Sequence, residues 1–194
     1  MKKLIALAFA FVLAFTIIAY YTARERVSEK FIKMLSSDSY HIELKIVVGG
    51  VEIQMEKYEK KGMIAATTKA KDVTMRIIMR DNKTYMIDDS KKTVLVMPEL
   101  MQALADMVKT TAVNTKRMRY VGSGKANFQG KNLPYEEYRI DNRGKSQFFV
   151  DGKKITGIRN ISGSEVAEVV ILALNKYVSD SVFQIPDDYT QISF

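Results

Sequence analysis

The chain carries one histidine, His41, and no cysteine, so any Ser-His-Asp relay or histidine-based metal centre would have to be built on that single imidazole. His41 stands on the polar side of an alternating stretch and is expected to be an exposed strand histidine. Asp88-Asp89 and Asp187-Asp188 are neighbours in sequence. On a strand such side chains diverge to opposite faces, and neither pair has a second carboxylate placed for acid–base work; both are read as turn residues. Gly122-Ser123-Gly124-Lys125 resembles part of a phosphate loop, but the first glycine is missing at the required distance and no helical pattern follows. A β-bulge is expected there. With no nucleophile–base pair in view, the chain is expected not to be an enzyme and to use no cofactor or metal.

Eleven methionines and no tryptophan are more distinctive, because the thioether side chain fills irregular apolar space without fixing its shape. Ile46, Ile53, Met55, Met75, Ile77 and Met79 fall on one side of alternating segments, and Leu100, Met101, Leu104 and Met107 fall on one side of a helical segment. The first set is the candidate apolar lining of a ligand site and the second its candidate lid. An ordinary packed core is the competing reading of the same residues.

The elements that must position them follow from hydrophobic period. Lys2-Lys3 precedes Leu4 to Tyr21, an uncharged run long enough to cross about 27 Å as a helix. Residues 1–23 are therefore expected to be a signal peptide or a signal anchor, with residues 24–194 forming one domain. Val27, Phe31 and Leu35 recur at the spacing of an amphipathic helix. Period-two alternation then predicts strands from Tyr40 to Val48 and, after Gly49-Gly50, from Val51 to Met55, with Tyr58 off phase as at a bulge or strand end. Strands at Met63 to Ala70, Val73 to Arg80, Thr84 to Asp88 and Thr93 to Met97 complete a six-strand meander, in which Ile78 breaks the alternation. Pro98 and Glu99 suit a helix start, and Leu100 to Val108 supply its apolar face. Four further strands are predicted between Arg117 and Ile161. The segment from Ser164 to Val178 passes for a helix by spacing, but its β-branched Val166, Val169, Val170 and Ile171 favour an eleventh strand. The fold class is thus α+β, mainly antiparallel β.

The formal charge is +8, and removal of Lys2 and Lys3 would lower it by two. That excess favours an anionic membrane surface. Nucleic acid is not expected, because the lysines are interspersed with glutamates along strands rather than gathered into one patch.

Three phrases resemble the LolA-like group of periplasmic lipoprotein carriers and their relatives among lipid-binding and stress-sensing envelope proteins. These are VSDSVFQIPDD from Val178 to Asp188, followed by Tyr189; DNKTYMIDDSKKTVLVMP from Asp81 to Pro98; and the hairpin Phe148 to Ile155 around Asp151-Gly152-Lys153. The resemblance spans roughly Val27 to Tyr189. It implies a curved half-barrel sheet of about ten or eleven strands, covered by one N-terminal and one inserted helix. It also implies lipid or an acylated protein as partner and an exported location in the periplasm or on the outer face of the cytoplasmic membrane. No functional residue is carried over from the family. Two functions are therefore expected: a non-enzymatic binder of lipid or lipoprotein acyl chains, or an envelope sensor or interaction module with the same fold and a filled core.

Overall fold

The computed structural model describes residues 26–48, 50–71, 73–97, 118–140 and 144–193. The predicted leader and the helix expected after Pro98 lie outside these residues. One α-helix, α1 (Val27–Leu35), comes first. Six strands follow: β1 (Ser39–Val48), β2 (Val51–Lys60), β3 (Met63–Ala70), β4 (Val73–Arg80), β5 (Lys83–Asp88) and β6 (Thr93–Met97). A second run comprises β7 (Met118–Phe128), β8 (Lys131–Ile140), β9 (Lys145–Asp151), β10 (Lys154–Ser162) and β11 (Glu165–Asn175), and a short β12 (Thr190–Ser193) ends the chain. Among the described residues no helix is long and apolar enough to cross a membrane.

All twelve strands form one open, curved sheet in the order β12-β6-β5-β4-β3-β2-β1-β11-β10-β9-β8-β7. It consists of two antiparallel meanders, and the strand that joins them is β11, which pairs with β1 on one side and β10 on the other. The segment that was ambiguous by spacing is therefore a strand at the centre of the sheet, where β-branched side chains pack well. The sheet has one strand more than expected, because Thr190–Ser193 adds to the edge parallel to β6.

Tight hairpins hold the register. Lys61-Gly62 and Gln129-Gly130 both take positive φ at their two central residues, the turn whose twist matches the flanking strands. The β1–β2 ladder runs unbroken from Val48↔Val51 to Ser39↔Lys60. The off-phase Tyr58 is thus not a bulge. Lys57 continues the inner face of Ile53 and Met55, and Tyr58 points outward. A bulge does occur in β7 between Tyr120 and Gly122, just ahead of the glycine pair where one was expected. Gly124 is needed for a different reason: a Cβ there would lie 2.7 Å from the Tyr135 hydroxyl.

Each face of the sheet buries its own cluster. On the concave face, Phe31 and Leu35 of α1 pack with Tyr40, Ile42, Tyr138, Phe148 and Ile158. On the opposite face Ile78, fully buried, packs with Ala65, Tyr85, Ile87 and Val94 beneath Val178 and Phe183 of the tail. This explains the break in alternation at Ile78: β4 is covered on both sides, so apolar residues occur at consecutive positions.

Candidate functional site

Helix α1 is too short to be stable alone and is fixed by the sheet. Glu136 on β8 accepts hydrogen bonds from the backbone N–H groups of Val27 (3.3 Å) and Ser28 (3.0 Å) and from the Ser28 hydroxyl. A carboxylate at a helix N-terminus satisfies orphan donors and complements the dipole. Ser28 Oγ also lies 2.8 Å from the Tyr138 hydroxyl. The Arg26 guanidinium sits 3.8 Å over the Tyr120 ring, and Glu29 accepts from the Arg26 backbone N–H at 3.1 Å.

Between α1 and the concave face lies a cavity of about 360 Å³, within the size range of small-ligand sites. The helix contributes Phe31 and Leu35, β1 contributes Tyr40, Ile42, Leu44 and Ile46, and β2 contributes Met55 and Lys57. The second meander supplies Met118, Ile140, Phe148, Ile158 and Val169, with Ser146 and Asn160 as a polar pair bonded at 2.5 Å. The wall is therefore mostly aliphatic and aromatic, with a few convergent polar groups.

Lys57 is the charged residue of that wall, and only 3% of its side chain is exposed. Its ammonium lies 2.9 Å from Glu59 Oε2 and donates to the Tyr40 hydroxyl at 2.9 Å, while that hydroxyl donates to Glu59 Oε2 at 2.8 Å. Burial, reinforced by Glu59, pushes the Tyr40 phenol well above its ordinary value, so it stays protonated and bridges the pair. A buried charge persists only when paired and hydrogen-bonded, and this triangle meets that condition. Sequence reasoning missed it, although a lysine in phase with Ile53 and Met55 was the available signal.

Of the candidate lining, Ile46 and Met55 border the cavity. Ile53 shares their face, opposite Ile46. Met75, Ile77 and Met79 do not reach this cavity; farther along the same face they pack with Ile64 in a separate cluster. Among the described residues the six candidates fall into two groups, one at the cavity wall and one in a packed patch, and the strand that α1 contacts most is β10. The candidate lid residues Leu100, Met101, Leu104 and Met107 lie outside the described residues.

His41 lies on the outer face as expected but is buried rather than exposed. Its ring stacks on Tyr58, with centroids 4.3 Å apart, and Asn175 lies 3.4 Å from Nδ1. Nε2 lies 3.1 Å from Glu56 and 3.6 Å from Glu43. This nitrogen and two carboxylates offer a possible ligand set, while an imidazole set between two facing glutamates accounts for the same geometry without a metal. Burial and Glu56, which accepts from its hydroxyl, push the Tyr58 phenol up to about 12.

Three of the four aspartates in the acidic pairs have structural roles. Asp88 accepts from the Ser90 and Lys91 backbone N–H groups at 3.0 and 3.1 Å and from the Ser90 hydroxyl, bonds that draw its carboxyl down to about 2. Asp89 receives Arg76 and the Tyr189 hydroxyl. Asp188 pairs with Lys92 at 2.7 Å.

No protein-family model and no curated protein matches the chain. Solved structures with a similar chain course include an uncharacterized conserved protein from Thermus thermophilus, 6% identical over 87% of this chain and 100% of that one, with a TM-score of 0.49. LprF from Mycobacterium bovis is 8% identical over 82% of this chain and 97% of its own, with a TM-score of 0.48. A LolA superfamily protein from Nitrosomonas europaea is also among them, 11% identical over 82% of this chain and 98% of that one, with a TM-score of 0.34. At these identities and scores no residue role carries across from any of them.

Proposed function

We propose that the chain is a non-enzymatic envelope protein that binds lipid, or the acyl chains of lipoproteins, in the cavity beneath α1. The observation that carries this reading is the cavity itself, about 360 Å³ of apolar space under a helix that the sheet clamps at its N-terminus. An acyl chain gains ~0.8 kcal/mol per methylene on leaving water, but a bilayer already supplies that gain, so a carrier has only to match the membrane. The Lys2-Lys3 and Leu4–Tyr21 leader and the net positive charge support an exported location at an anionic membrane surface. Asp88, Asp89 and Asp188 are committed to a turn and to ion pairs, which supports a binding role.

The packed patch of Ile64, Ile77 and Met79, each under 10% exposed, favours a second reading in part: an envelope sensor or interaction module whose concavity is filled. Native mass spectrometry of gently purified protein separates the two. Bound lipid at one copy per chain supports the binder, and protein free of lipid from a lipid-rich membrane extract supports the module.

A further inference from the structure

The cavity wall is charge-balanced, and that balance limits the ligand's polar end. Lys57 is the sole charged residue lining the cavity among the described residues. Its ammonium has three N–H donors; it donates to the Tyr40 hydroxyl and is ion-paired with Glu59. Because the Lys57 side chain lines the cavity, an oxygen on the occupant can serve as a further acceptor for this ammonium. Glu59 already neutralises Lys57. A carboxylate entering beside this pair would bring a net negative charge into an apolar space with Glu59 close behind the ammonium, whereas a neutral carbonyl supplies an acceptor and adds no charge.

Resting on the lipid-binding reading, we propose that Lys57, held by Glu59 and Tyr40, is the specificity determinant of the cavity and selects a neutral carbonyl-bearing acyl chain, an ester or amide, over a free fatty acid. The pair acts as a donor that does not attract anions. Glu59 is 28% exposed on its side chain, so its own charge stays partly hydrated while it shields the cavity from the lysine's field. The Ser146–Asn160 pair is neutral and adds no preference by charge.

The test is competitive binding of monolauroylglycerol and laurate to the full chain at pH 8, where laurate is ionised. Wild type is expected to favour the ester by about tenfold, a difference of ~1.4 kcal/mol. Glu59→Gln keeps the shape and an acceptor oxygen for Tyr40 but removes the counter-charge, and should shift the preference toward laurate by about tenfold or more. Lys57→Met, checked by thermal melt to be folded, removes the donor and should weaken the ester by about tenfold. A wild type that binds both ligands equally, or prefers laurate, overturns the specificity while leaving lipid binding intact. A Glu59→Gln protein with unchanged preference overturns the charge-balance mechanism. A wild type that binds neither ligand overturns the inference together with the lipid-binding reading.

Discussion

Replacing Glu136 by alanine should release α1 from the sheet at its N-terminal end. The carboxylate accepts three hydrogen bonds, from Val27 N, Ser28 N and Ser28 Oγ. Bonds to charged groups contribute ~1.5–3 kcal/mol each, but the site is half-buried and water can replace part of what is lost. A net cost of about 2–3 kcal/mol follows, which for a chain of this size lowers Tm by about 5–10 °C. Glu136→Gln keeps one acceptor oxygen and should lose about half as much. Ser28→Ala removes the hydroxyl but leaves the two backbone donors bonded, and should cost ~1 kcal/mol. The decisive assay is amide hydrogen exchange over Val27–Leu35, which should rise in Glu136→Ala well beyond any rise in β9 and β10. A Tm within ~1 °C of wild type, together with unchanged exchange in α1, would refute the view that Glu136 clamps the helix over the cavity.

Three other outcomes follow from the same geometry. Leu44→Trp places a larger side chain in the cavity and should abolish copurifying lipid while costing no more than ~1–3 kcal/mol of stability, read by native mass spectrometry and thermal melt on one preparation. Gly157→Ala should destabilise at least as strongly, since its Cβ would clash with the Phe128 ring and lie 2.8 Å from the Val169 carbonyl oxygen; denaturant titration checks it. Asp88 has a folded-state pKa drawn down to about 2 from an unfolded value of ~3.9, so its stabilisation is present above about pH 4 and lost as pH falls toward 2. Melts of wild type and Asp88→Asn should therefore converge over that interval, and a constant gap would contradict the assignment.

Most strands were legible because one face of each was expected to be wet, and alternation follows from that. Met63–Ala70 and Val73–Arg80 have the bounds their patterns predict. Ile78 broke the alternation because the tail that covers it arrives about a hundred residues later in the chain, and nothing local announces that cover. β12 escaped for the same reason: four residues pair with β6 across the length of the sequence. Lys57 escaped notice because the alternation was followed only as far as Met55, and Tyr58 was read as a bulge or a strand end. The unbroken β1–β2 register puts both right. His41 was judged by its polar neighbours in sequence, whereas its burial comes from Tyr58 on the next strand and Asn175 on β11.

The central claim, that the cavity between α1 and the concave face of the sheet holds an acyl chain, is tested most directly by photocrosslinking. A lipid with a diazirine in its acyl chain is incubated with the full-length protein in detergent below its micellar concentration, irradiated, and mapped by peptide mass spectrometry. Labels should concentrate on Phe31 and Leu35 of α1 and on Ile42, Leu44, Phe148 and Val169 of the facing strands, and should vanish in Leu44→Trp. Labels confined to the opposite face, around Tyr58, Tyr85 and the tail, or spread evenly and unchanged by Leu44→Trp, would contradict it.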